Sequence, residues 1–180
     1  MTRVIIAGIG NVLLGDDGVG PYVVQLLKSR FELDDGVEVE DLGTPALDII
    51  DYFAGKDALI VVDSVDNGAA PGTVTLYRKD DLIRHAPAVR MDPHSPALSE
   101  SLFTADLMGY CPGEVLLVGV SGANYNAGCS LSPLVRDAAE TVIAEVLREL
   151  DQLGIKPVER VQHAATDIWW ARESVFAPQV

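Results

Sequence analysis

The sequence predicts an α/β fold, a three-layer sandwich in which a twisted, mostly parallel sheet carries helices on both faces. Two observations predict it. Val4 to Ala7 and Leu59 to Val62 are unbroken apolar runs of strand length, the composition of strands buried on both faces. Segments with apolar residues at helical spacing separate such runs, and a chain that alternates strand and helix makes neighbouring strands parallel.

The elements follow in order. Val4 to Ala7 runs into Gly8-Ile9-Gly10, a strand and then a tight turn. After the acidic loop Gly15-Asp16-Asp17-Gly18, Val19, Val23, Leu26 and Leu27 recur at helical spacing, and Pro21 is tolerated in the first turn, where its missing N–H costs nothing. Val37 to Leu42 alternates apolar and acidic residues, the pattern of a strand near a sheet edge. Gly43-Thr44-Pro45 then opens a second helix with Thr44 as N-cap. The run Leu59 to Val62 stops at Asp63, and Thr73 to Tyr77 forms a further strand after the turn Pro71-Gly72. Arg84 to Ser99, with Pro87, Pro93 and Pro96, reads as loop, followed by a helix from about Leu98 to Met108. Glu114 to Val120 is the last strong strand. Ser132 caps a long amphipathic helix whose stripe is Val135, Ala139, Val142, Ile143, Val146 and Leu147. Beyond Pro157 the chain holds both tryptophans, Trp169 and Trp170, so residues 1–156 are expected to form one domain and 157–180 a tail that packs on it or meets a partner.

A chain of 180 residues can bury a real core as one domain, and 48% hydrophobic with 22% charged residues is a globular composition. The net charge of −14 disfavours nucleic acid and anionic membrane surfaces, which demand clustered Lys and Arg. No apolar run approaches the roughly 20 residues of a spanning helix, so no membrane insertion is expected. Cys111 and Cys129 form no Cys-x-x-Cys pair; they read as reduced, buried, inert thiols and the compartment as cytoplasm.

In open α/β sheets ligands bind beyond the carboxyl ends of the strands. Asp17, beside Asp16, follows the first strand there. Asp63 ends an apolar strand, where a charged carboxylate needs a partner. His94 sits in Asp92-Pro93-His94-Ser95-Pro96, a loop stiffened by proline. Two carboxylates and an imidazole are hard and borderline ligands, suited to a divalent transition ion with positions left open. Each also has a plainer reading: Asp17 as a helix cap, Asp63 as an acceptor of turn N–H groups, His94 as a surface histidine. Ser64 and Ser95 lack an evident base and read as structural, and His85 and His163 are expected in solvent. A dinucleotide site fails: Asp41 stands where a ribose acid would, but the third fingerprint glycine is replaced by Leu13 and the acids of the loop would repel a pyrophosphate. Neither a P-loop sequence nor a Gly-x-Ser-x-Gly elbow occurs.

Gly8-Ile9-Gly10-Asn11 with Gly15-Asp16-Asp17-Gly18-Val19-Gly20, then Gly43-Thr44-Pro45, Asp63-Ser64-Val65-Asp66 leading to Pro71-Gly72-Thr73, His94, Gly119-Val120 and Leu131-Ser132-Pro133 together carry a resemblance. From Val4 to about Leu150 the chain resembles the hydrogenase maturation endopeptidases. The resemblance implies a phosphorylase/hydrolase-like fold and an aspartyl-type endopeptidase that removes the carboxyl-terminal extension of a nickel-iron hydrogenase large-subunit precursor after nickel insertion. It implies that Asp17, Asp63 and His94 recognise the metal, with Asp16 as a second acid and candidate general base. Nickel would be carried by the precursor, zinc or cadmium serving as surrogates. Whether a metal-bound hydroxide, Asp16 or orientation alone drives attack on the peptide stays open. So do two other functions, a non-catalytic chaperone of the large subunit and a nucleotide-binding module. Ser121 to Asn126, where the family has a proline-containing continuation, and the paired-tryptophan tail are expected to bear on which hydrogenase is served.

Overall fold

The computed structural model describes residues 2–45, 48–84 and 95–171. In chain order these form β1 (Val4–Ile9), a 3₁₀ turn (Gly15–Gly18), α1 (Val19–Arg30), β2 (Phe31–Glu32), β3 (Val37–Gly43), α2 (Ile49–Phe53) and β4 (Ala58–Val65). They continue with β5 (Val74–Arg78), α3 (Lys79–Arg84), α4 (Ser95–Met108), β6 (Glu114–Ser121), α5 (Pro133–Gln152), β7 (Val158–Glu159) and a second 3₁₀ turn (Trp169–Ala171). The main sheet has the order β3-β1-β4-β6-β5, with β5 antiparallel to β6 and the other neighbours parallel.

Side chains alternate across a strand, and here both faces are covered. Val4 and Ile6 of β1 and Ile60 and Val62 of β4 join one core with Val23 and Leu27 of α1 and Val142 and Val146 of α5. Ile5, Ala7, Leu59 and Val61 join the other, with Phe53 of α2, Leu82 of α3 and Leu102 of α4. This explains the unbroken apolar runs of the inner strands. β3 lies at the edge, and its Glu38 and Glu40 are exposed beside buried Val39.

Several boundaries differ from those expected. Thr44 does not cap α2: Asp48 occupies that position and the helix starts at Ile49. The reason is local, since Gly43 adopts φ +57° and donates its N–H to Asp41 Oδ1 at 3.0 Å, forming a turn rather than a helix entry. Ser132 does stand at the N-cap of α5 in extended conformation, but its hydroxyl makes no capping bond. α4 begins at Ser95, earlier than Leu98, and α3 follows β5 directly, which was not anticipated. Nor was the antiparallel pair of β2 with β7, because two residues carry no periodicity. Beyond β7, Arg160 and Ala164 donate their N–H groups to the carbonyls of Arg30 and Ser29 at 2.8 and 2.9 Å, and Trp170 is buried. Cys111 and Cys129 are free and each half-buried, not enclosed. Among the described residues no helix is long and apolar enough to cross a membrane.

Candidate active site

From β1 the chain passes through α1 to β3 on one side, then returns to β4 on the other. The carboxyl ends of β1 and β4 therefore flank the topological switch point, where a crevice opens. Glycine closes α1 onto these strands. A Cβ on Gly20 would lie 2.3 Å from the Ile9 carbonyl oxygen and 2.4 Å from that of Val62, and one on Gly8 would lie 2.5 Å from the Gly20 oxygen. The Gly-rich opening thus serves close backbone approach. The Asn11 N–H, which a phosphate would need, is donated to Asp17 Oδ2 at 2.7 Å.

Two expected site residues are both bonded to Ser64 here. Asp17 and Asp63 are only 1% and 2% exposed. Alternation in β4 sends Ser64 to the same face as Ile60 and Val62, beneath α1, and Asp63 to the face of Leu59 and Val61. Ser64 then links the acids: its hydroxyl donates to Asp17 Oδ1 at 2.9 Å and its backbone N–H to Asp63 Oδ1 at 2.7 Å. A carboxylate accepts through both of its oxygens, and these bonds help to orient both acids. Ser64 is a positioning group, in keeping with its structural reading. His94 and His85 lie outside the described residues. Among the described residues no group of three His, Cys, Asp or Glu side chains is gathered for a metal.

Asp16 faces elsewhere. Fully buried, it accepts the N–H groups of Ala123 and Asn124 on Oδ2 at 2.8 and 2.9 Å and that of Ser132 on Oδ1 at 2.6 Å. Its own N–H donates to the Asn124 carbonyl at 2.9 Å, while Gly15 and Leu13 bond Gly128 at 2.7 and 2.9 Å. The segment after β6 is therefore fastened to the acidic loop through Asp16. Sequence inspection missed this clamp. Its only visible signal is the turn-rich Gly122 to Asn126, whose N–H groups need an acceptor.

Other titratable groups stand apart. Burial pushes the Cys111 thiol up from its ordinary value, against the opposing influence of Lys79, which leaves it a poor nucleophile at neutral pH. His163 is exposed, 3.7 Å from Glu159. Trp169 lines a cavity of about 210 Å³ together with Asn11, Asp41 and Thr44 at the ends of β1 and β3.

Fold and site define a doubly wound α/β protein with a pair of buried, hydrogen-bonded carboxylates at its switch point. Residues 21–149 match a family described as hydrogenase maturation protease. The chain is 37% identical to the hydrogenase expression/formation protein HupD of Rhodobacter capsulatus over 155 residues, covering 86% of this chain and 74% of that one. It is 31% identical to the hydrogenase 2 maturation protease of Escherichia coli K12 over 162 residues, covering 88% and 96%. The solved structure of the hydrogenase maturating endopeptidase HybD from E. coli superposes with a TM-score of 0.82 at 31% identity, over 88% of this chain and 98% of that one. The chain belongs to the hydrogenase maturation protease family.

Proposed function

We propose that the protein is an endopeptidase that removes the carboxyl-terminal extension of a nickel-iron hydrogenase large-subunit precursor once nickel is in place. The observation that carries this is the convergence of Asp17 and Asp63 on Ser64 at the switch point, both almost fully buried. Two carboxylates held in this way present oriented anionic oxygens to a cation that arrives with the substrate. The resemblance supplies His94 as the third ligand.

Nickel carried by the precursor would be held by Asp17, Asp63 and His94 when the two proteins meet, and would supply either a positioning anchor or Lewis-acid chemistry at the scissile peptide. This chain's part is to bind and orient. Asn11 and Ser64 fix the Asp17 carboxylate, the Ser64 N–H fixes Asp63, and burial of both acids keeps bulk water away from them. Asp16 suits a clamp better than a general base, since three backbone donors already occupy its oxygens. The two free thiols favour a reducing compartment, the cytoplasm. The charge of −14 argues for a protein partner over nucleic acid.

Incubation with nickel-loaded and nickel-free precursor tests the proposal. The nickel-loaded precursor is expected to shorten on a gel while the nickel-free form stays intact. Equal cutting of both would remove nickel recognition from the mechanism. A stable complex in which neither form is cut would identify a chaperone.

A further inference from the structure

A cavity of about 230 Å³ lies on the other side of the tryptophan pair, and the proposed cleavage makes no use of it. Tyr22 of α1, Ser130 and Leu131 ahead of α5, Arg136 in the first turn of α5, and Ile168 and Trp170 of the tail line it.

Arg136 differs from the other arginines. Among the described side chains Arg3, Arg30, Arg78, Arg148 and Arg160 each stand at salt-bridge distance from a carboxylate, and Arg136 has no such partner. In a chain with 27 acidic and 13 Lys and Arg residues, acids are in excess, so a guanidinium beside a cavity and without a carboxylate is set apart. Its planar fork matches the two oxygens of a carboxylate, and Tyr22 and Ser130, both hydroxyl-bearing residues, line the same cavity. Leu131, Ile168 and the Trp170 ring supply apolar surface that a bare inorganic anion would not use but the stem of a carboxylate side chain would cover.

The cavity is also tied to the acidic loop. Ser130 and Leu131 lie between Gly128, bonded to Leu13 and Gly15, and Ser132, whose N–H is held by Asp16. A group docked here sits on the same hydrogen-bonded unit that carries Asp16 and Asp17.

We propose that this cavity is a docking site for a carboxylate of the large-subunit precursor, gripped by Arg136 away from the cleavage centre. The proposal rests on the reading of the chain as a maturation protease. Arg136 then governs how tightly precursor is held, not how fast the bound peptide is cut.

Cys129, half-buried on the same cavity wall, offers a probe, and Cys111→Ser removes the second thiol. Arg136→Gln is expected to raise KM for nickel-loaded precursor by about 5-fold or more, Arg136→Glu by more still, and Arg136→Lys by less, with kcat within about twofold. High salt should narrow the gap between wild type and Arg136→Gln. Nickel-loaded precursor should slow alkylation of Cys129 by iodoacetamide in the Cys111→Ser protein. Unchanged KM in the Gln and Glu variants, with Cys129 alkylated at full rate beside precursor, would overturn the docking site while wild-type cleavage kept the protease reading. A wild-type protein that protects Cys129 on binding precursor yet never cuts it would overturn the protease reading and leave the docking site standing.

Discussion

Asp16 and Asp17 are neighbours in one 3₁₀ turn and equally buried, yet Asp16 serves the segment leading to α5 while Asp17 serves the end of β4. Three residues per turn set successive side chains about 120° apart, so adjacent acids must point into different surroundings. Asp16 meets three backbone N–H groups, whereas the partners of Asp17 include the Asn11 N–H and the Ser64 hydroxyl that leads to Asp63. The same residue type does two jobs because the turn aims one carboxylate at a loop that needs acceptors and the other at the crevice between β1 and β4.

The comparison can be broken most decisively at Asp17. Asp17→Asn or Asp63→Asn should lower cleavage of nickel-loaded precursor by roughly 10²–10³-fold, the scale of losing one preorganised electrostatic contact, read as kcat/KM. Far-UV circular dichroism of these variants should match wild type.

Asp16→Asn should show the opposite profile. An amide can replace one acceptor oxygen but presents an NH₂ group to the remaining donors, so urea denaturation should show a loss of about 2–4 kcal/mol. The folded fraction should cut at a rate within a few-fold of wild type. Lost cleavage at full stability would instead make Asp16 the general base.

Gly20→Ala probes the packing on which both acids depend. Its methyl group would press on the carbonyl oxygens of Ile9 and Val62, and overpacking of this kind costs about 1–3 kcal/mol, measurable by thermal denaturation. The smallest expected effect is that of Ser64→Ala, which removes one hydroxyl from Asp17. It should cost about 1 kcal/mol and reduce cleavage only a few-fold, since the Ser64 backbone N–H still holds Asp63.

Much of this was legible in the order of residues. β1 and β4 announce themselves as apolar runs, and Asp63 stands out because a carboxylate at the end of such a run must find a partner. The edge position of β3 follows from its exposed glutamates. Thr44 misled because a good N-cap residue beside proline can equally end a turn, and the Asp41–Gly43 bond decides for the turn. Ser132 misled in part, for its place is right but its side chain caps nothing.

What the sequence determined alone is what local chemistry can express: which segments are strands or helices, which acids fall at strand ends, and where glycine marks a tight turn. Tertiary structure decided what depends on distant partners. The clamp joins Asp16 to residues more than a hundred positions away, Ala123, Asn124 and Ser132. The tail crosses the end of α1 and sets Trp169 and Trp170 against two different cavities. Each of these is a meeting of hydrogen-bonding or apolar groups that have no periodic signature of their own, so they acquire a role only after the sheet has brought them together.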